Sequence, residues 1–545
     1  MDVTAAYLHY TEDLSRSWLI FPLLLLYLLH LGGVGFLGPD EPRYASIGRE
    51  MARSGDWVTP RLDGQPWFEK PPLTYWLTGA GHVAGLPDEW AARLPEALIS
   101  IAFLAFFYFR LAREFSPPLA LAATAILATS GGWLAYSFAA LTDLPMSAAL
   151  GAAMLIILFD PRRAVLAGVL LGLSILGKGF VPVVLIAPLF LVGRGKRMVM
   201  LASAVIIAAP WFILCWLRNG SAFWDDFFWK QHVARFLTPS LEHVQPFWYY
   251  IPILLAGLFP WTPLAVLLAR RRLYSDRRVL LLAAWVLYGL IFFSVARNKL
   301  PGYVLPLFPA LAIVLAAAFE TAPVKGWWLA ACALLLVGLP TVAGILPDAL
   351  LAGLSRSHVA FAAGGFVFLG VAALVGWLAS KQKTEAALLS VALAAGIGAV
   401  YLKYSTFPAL DRTVSVRKFW RAHASEVSAG CVDGVSRTWQ YGLNYYAGHV
   451  VPECAAATAA VRSRITTRDR QLTIEDSNSY QVATNSQIAI PLQRSETNVN
   501  HEHGMKKGHT FRDCNCCGPN TPAAPLLLQP DAETHTESQR QRMIN

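Results

Sequence analysis

From Trp18 to Tyr404 the chain is a near-unbroken succession of apolar runs, and their length leaves few folds open to it. A helix needs roughly 17–25 residues to cross ~30 Å of hydrocarbon. Runs of that kind lie at about 18–37, 94–112, 117–137, 142–159, 164–178, 198–217, 246–269, 279–296, 302–320, 326–346, 358–379 and 386–404. A shorter run, about 180–193, follows Gly177-Lys178-Gly179, so the count is twelve or thirteen. Only 15% of the 545 residues are charged and 55% are hydrophobic, against about 25% charged in a soluble domain. The sequence therefore predicts an all-α polytopic membrane protein.

Loop charges choose between the two counts. With the N-terminus inside, thirteen helices put Arg110 and Arg113, Arg162 and Arg163, Arg194 to Arg197, the cluster Arg270 to Arg278, Lys325, and Lys381 and Lys383 on the inner side. Twelve would put the Arg270 cluster outside, against the inward bias of Lys and Arg. The same short clusters account for the net charge of +10, so nucleic acid, which needs a continuous basic face, is not a predicted partner. The first run has no small-residue cleavage pattern and reads as a retained helix. Cys431 and Cys454 lie 23 positions apart in the tail and can pair in an oxidising compartment.

Thirteen helices leave 38–93, 138–142, 218–245, 297–301 and the chain from about 405 on the outer side. The first of these loops is dense in charge, proline and aromatics, and ionisable groups at a bilayer edge are functional candidates by default. In it, Pro42 can start a helix whose Tyr44, Ile47 and Met51 form one stripe, either lying in the interface or packing on the bundle. Asp40 and Glu41 are adjacent, so they diverge; one faces a cleft and the other faces water or caps the helix. Lys70 precedes Pro71 and is expected to be extended, pointing away from Glu69, so that the two serve different partners. Asp143 sits at the outer mouth of a helix, as a site carboxylate or an N-cap. Lys178 is either a lysine snorkelling to the interface or a phosphate contact, and Arg235 and Lys299 add further outer cations. His232 or His243 could join Glu69 at a structural zinc, although no cysteine spacing supports a metal site. From 411 to 461 the tail looks foldable; after Thr466 its composition turns polar and reads as disordered.

The stretch GPDEPRYASIGREMARSGDWVTPRLDGQPWFEKPPLTYW (38–76) resembles the first extracytoplasmic loop of the bacterial 4-amino-4-deoxy-L-arabinose lipid A transferases, GT-C glycosyltransferases related to protein mannosyltransferases. LTDLPM, ILGKGF, WKQHVARFL, PFWYYIPILLAGLFPW and NKLPGYVLPLFPAL are similar to later parts of that pattern. The resemblance implies a GT-C bundle of about 13 transmembrane helices over 1–404, with interfacial helices and the catalytic loop 38–93 facing the periplasm of the inner membrane. It implies a periplasmic C-terminal domain starting at 405–465, from which the tail 466–545 departs. The donor would be an aminosugar on undecaprenyl phosphate, the acceptor lipid A, the surroundings membrane lipids, and the unit a monomer. Asp40 and Asp143 are then the catalytic candidates. Arg43, Tyr44, Lys70, Lys178, Arg235, Lys299 and Tyr303 are the substrate and phosphate contacts, with Lys70 and Arg235 on the leaving phosphate. No cofactor is required for catalysis. The alternatives are a protein O-mannosyltransferase, another polyprenyl-phosphate-sugar transferase, or a lipid transporter.

Overall fold

The computed structural model describes residues 20–192, 195–234, 237, 245–353, 357, 359–456, 463–468 and 470–476. Everything described below belongs to one compact unit, Met1–Asp476. Among these residues seven helices are long and apolar enough to cross a membrane, or eight if the bent pair Pro117–Thr129 and Gly131–Ser137 is one span. Asp143–Phe159, Val181–Leu191 and Phe247–Gly257 are apolar but shorter. The chain is an integral membrane protein.

The helices that position the site are α1 (Ile20–Leu28), α2 (Asp40–Ser54), α3 (Leu73–Val83), α4 (Asp88–Glu114), α5 (Pro117–Thr129), α6 (Gly131–Ser137), α7 (Asp143–Phe159) and α8 (Ala164–Lys178). Residues 308–319 are buried on every side, which makes Phe308–Glu320 the centre of the bundle. Its neighbours show apolar side chains outward, as helices facing lipid must.

α2 follows from its own sequence. Asp40 and Glu41 occupy the positive end of the helix and Arg53 the negative end. Pro42 lies in the first turn, where its missing N–H costs nothing. Gly55, at φ 72°, closes the helix by donating its N–H to Met51 O. The stripe Tyr44, Ile47, Met51 packs with Leu62 and Tyr75 rather than facing lipid. The crossing with α3 is tight: a Cβ on Gly48 would lie 2.7 Å from Thr78 Cβ.

The segment after α2 turns through a two-stranded ladder, β1 (Arg61–Leu62) with β2 (Gln65–Pro66). Two indoles pin it, Trp76 Nε1 donating to Trp57 O at 2.7 Å and Trp211 Nε1 to Val58 O at 2.9 Å.

Beyond the bundle, helix Thr384–Thr413 runs nine residues past the expected boundary at 404. A small mixed sheet follows, with β3 (Gly430–Val432) parallel to β4 (Ser463–Arg468) and β4 antiparallel to β5 (Gln471–Asp476). Val416, Val427, Val432, Trp439, Leu443, Val451 and Ile465 form its core. Cys431 and Cys454 are joined, as their spacing allowed. The hairpin corrects the expected disorder from Thr466: Leu472 and Ile474 pack against this core, and two apolar residues on one strand suffice to register it. The rest of that expectation, 477–545, lies outside the described residues.

Candidate active site

Two cation–carboxylate clusters stand where helices meet the loops that join them. The first is built by α2 and the turn before α3. Arg43 pairs with Asp40, one helical turn back, and with Glu69 Oε2 at 3.0 Å. Its guanidinium also lies against the rings of Tyr44, Trp67 and Tyr441, the last 5.3 Å away on helix Arg437–Ala447 of the C-terminal segment. Lys70 Nζ reaches Glu69 Oε1 at 2.9 Å. This corrects the expectation that Glu69 and Lys70 serve different partners. The chain bends at these residues instead of running extended, so their side chains converge. Burial pushes the Tyr44 phenol well above its ordinary value, with Asp40 and Glu69 adding to the effect.

The second cluster joins α7 to α8. Asp143 pairs with Lys178, whose ammonium lies 4.9 Å from the centre of the Tyr303 ring. Thr142 occupies the N-cap position and Asp143 is the first residue of the helix, so the N-cap role expected of Asp143 falls away. Gly302 closes over the pair. A Cβ there would stand 2.5 Å from Asp143 Oδ1 and 2.6 Å from Tyr136 Oη, so no other residue fits without moving the site. Asp143 and Asp40, one from each cluster, both lie within electrostatic reach of Tyr136.

Glu41 and Arg93 hold the floor between them. Arg93 Nε donates to Glu41 Oε1 at 2.7 Å and Nη2 to Oε2 at 2.8 Å. The remaining guanidinium protons go to Leu31 O, Val34 O and Gly35 O. Glu41 further accepts from Leu37 N and Ala140 N. All five donors of the arginine and both oxygens of the carboxylate are thus engaged. Glu41 is 2% exposed and Asp40 38%, so of the two adjacent carboxylates only Asp40 is open to a substrate.

The other predicted residues behave differently. Lys299 donates to Ala296 O at 2.6 Å and Gln245 O at 3.0 Å, and is buried; burial pulls its ammonium below the ordinary value, Arg297 adding to this. It anchors the loop to main-chain carbonyls. Tyr44 packs inside, its ring tilted against Tyr75 with centroids 5.6 Å apart and its centre 5.9 Å from the Arg43 guanidinium. His232 meets Phe227 O through Nδ1 at 2.7 Å and Phe180 N through Nε2 at 3.3 Å, inside an aromatic cluster. Main-chain groups face both ring nitrogens of His232, and Glu69 holds two cations, Arg43 and Lys70. Among the described residues no three His, Cys, Asp or Glu side chains converge as metal ligands. Arg235 and His243 lie outside the described residues.

Sequence reasoning missed Arg93, Tyr136, Gly302 and Glu96. Both oxygens of Glu96 lack a hydrogen-bond partner although the side chain is only 1% exposed, and Asp143 and Glu41 are the charges within its reach. The signal for Arg93 and Glu96 was present: two ionisable residues at the mouth of an apolar helix.

The chain matches the family described as dolichyl-phosphate-mannose-protein mannosyltransferase over residues 69–217. The undecaprenyl phosphate-alpha-4-amino-4-deoxy-L-arabinose arabinosyl transferase of Aeromonas salmonicida (strain A449) is 33% identical over 411 residues, covering 69% of this chain and 74% of that one. The protein of the same name from Erwinia tasmaniensis (strain DSM 17950 / CFBP 7177 / CIP 109463 / NCPPB 4357 / Et1/99) is 33% identical over 426 residues, 71% and 76% of the two chains. The fold is similar to crystal structures of ArnT from Cupriavidus metallidurans. In the apo state the TM-score is 0.65 at 23% identity, over 87% of this chain and 95% of that one. Bound to undecaprenyl phosphate it is 0.62 at 22%, over 87% and 89%.

Proposed function

The chain belongs to the family of undecaprenyl phosphate-α-4-amino-4-deoxy-L-arabinose arabinosyl transferases, and from that membership we propose that it moves this aminosugar from undecaprenyl phosphate to a phosphate of lipid A. It is a membrane glycosyltransferase using a polyprenyl-phosphate sugar donor. The added amino group offsets a phosphate charge on lipid A, which weakens its attraction for cationic antimicrobial peptides such as polymyxin.

The observation that carries the reading is the pair of ion-paired clusters, one offering Arg43 and Lys70 on Glu69, the other Lys178 on Asp143 beside Tyr303. In the reaction the sugar C1–O bond to the polyprenyl phosphate breaks, and its electron pair leaves with that phosphate. An oxygen of the acceptor phosphate forms the new bond to C1 from the opposite side, so the anomeric centre inverts. Charge grows on the leaving phosphate, and a fixed cation there lowers the barrier. Lys70 takes that role, exchanging Glu69 for phosphate, and Lys178 holds a second phosphate oxygen beside Tyr303. The acceptor is already largely an anion, its second pKa being near ~6. It needs orientation more than deprotonation, and Asp40 and Asp143 supply this by fixing the acceptor and the amino group. No nucleotide or catalytic metal enters, because the donor carries its own activated phosphate.

The arrangement is read with thirteen crossings in the bacterial inner membrane and the clusters facing the periplasm. The disulfide supports this side: it belongs to the segment whose Tyr441 rests on Arg43, and disulfides persist in oxidising compartments. Mass spectrometry of lipid A from cells with and without the chain tests the function. The aminosugar mass increment should appear only with the chain; its absence, in cells making the donor, would overturn the assignment.

A further inference from the structure

A separate cavity opens on the outer surface where α2, α3 and the start of α4 meet, with about 230 Å³ of space lined by Arg49, Ala52, Arg53, His82, Val83 and Asp88. We propose that it is an anion subsite for the phosphate of lipid A that is not being glycosylated, an inference that rests on the function proposed above.

The charge balance of the cavity is positive. Asp88 is its single acid, and it is already occupied, accepting from Tyr445 Oη at 2.8 Å and standing 3.9 Å from His82 Nδ1. Neither arginine has a carboxylate partner among the described residues. Arg49 is held in place: one N–H donates to Tyr445 O at 2.7 Å, and the guanidinium lies 3.8 Å over that ring. A fixed fork with donors to spare suits a phosphate. Arg53 stands one helical turn on, on the same side of α2. Nε2 of His82 is buried without a partner, so a polar group of the cavity wall awaits one. Burial keeps His82 below its ordinary pKa, with Arg49 and Arg53 adding to the effect against Asp88, and an entering anion would relieve it.

Position selects the ligand. At ~1.5 Å rise per residue, Arg49 and Arg53 lie about 9 and 15 Å along α2 from Arg43, on the same side of the membrane. That is a separation on the scale of two sugar rings, so an acceptor carrying phosphates on a disaccharide can engage both places. The ordinary reading of Arg53, a cation favoured at a helix C-terminus, predicts no effect on acceptor choice.

The test compares wild type with Arg53→Glu in nanodiscs, measuring binding of bisphosphorylated and monophosphorylated lipid A without donor, and then KM for each. Wild type should bind the bisphosphorylated form about tenfold more tightly, the scale of one charge-assisted contact, and R53E should collapse that preference to about onefold. Arg53→Gln, which keeps the stem, should fall between. Equal preference in wild type and R53E overturns the subsite. So does loss of lipid A binding to excess phosphatidylglycerol or inorganic phosphate at equal charge, which would make the cavity a general anion site. Because binding is read without transfer, an enzyme inactive on lipid A would sink the proposed function while leaving this measurement interpretable.

Discussion

Glu41→Gln should destabilise the protein more than any single change in the catalytic clusters, because of what it strands. Glu41 and Arg93 are each 2% exposed, and all five guanidinium donors are in use. Removing the carboxylate charge leaves a buried guanidinium without its counter-ion, a loss of about 3–5 kcal/mol. For a cooperative unit of Met1–Asp476, unfolding entropy of ~2.1 cal/mol/K per residue comes to about 1 kcal/mol/K, so the midpoint should fall by at least ~3–5 °C. Membrane helices retain structure on denaturation, which lowers that entropy and enlarges the shift. Pairing the change with Arg93→Met should not restore stability. Arg93 also satisfies three main-chain carbonyls, and each buried carbonyl left bare costs about 1–3 kcal/mol. The assay is thermal unfolding in detergent of E41Q, R93M and the double variant. If E41Q melts within ~1 °C of wild type, or the double variant recovers wild-type stability, the carbonyl-and-carboxylate argument is wrong.

Lys70→Ala should slow turnover by ~10²-fold with folding preserved, as expected for a lost stabiliser of the leaving phosphate; wild-type kcat on purified donor and acceptor would reduce Lys70 to an anchor for Glu69. Gly302→Ala places a Cβ 2.5 Å from Asp143 Oδ1, and a displacement of ~1 Å at a reacting centre can cost 10²-fold, so single-turnover transfer should drop steeply while Tm barely moves. Truncation after Asp476 should keep the hairpin β4–β5 and transfer activity, whereas truncation after Ile465 removes β5 and the second half of β4; limited proteolysis should show residues 417–456 becoming cleavable only in the second. Equal protease resistance of the two would mean that the hairpin contributes nothing to the C-terminal fold.

Some of this architecture was legible in the sequence because the physics is local. The stripe Tyr44, Ile47, Met51 has the helical period and Pro42 can start a helix, so the existence of α2 was legible, though not its end at Gly55. Loop charges assigned Asp40, Lys70, Asp143 and Lys178 to one side, and in the structure each of the four is ion-paired within a cluster. What periodicity cannot supply is pairing across the chain. Asp143 and Lys178 are 35 residues apart and meet only because α7 and α8 pack as a hairpin. Glu69 and Lys70 were misjudged for the opposite reason: strand geometry was assumed for a residue before proline, and the chain bends there instead. The β4–β5 hairpin was lost in the average composition of 466–545, where Leu472 and Ile474 are two apolar residues in a polar stretch.

The buried pair explains why the site's floor escaped notice. Hydropathy sets the start of a membrane span where the apolar run begins, here near residue 94, one position after Arg93. The helix begins at Asp88, because a helix entering a membrane protein can carry charge inward as long as partners wait for it. Those partners, Glu41 and the carbonyls of Leu31, Val34 and Gly35, come from the chain just before and within α2. The arginine thereby fixes the loop that presents Asp40 and Arg43, one face of the site, while Glu41 accepts from Ala140 N and so fixes the turn that presents Asp143, the other. One buried ion pair thus sets the spacing between two clusters that share no direct bond among the described residues. Geometry at the proposed site depends on a buried pair outside both clusters, and a hydropathy boundary drawn one residue late is enough to hide it.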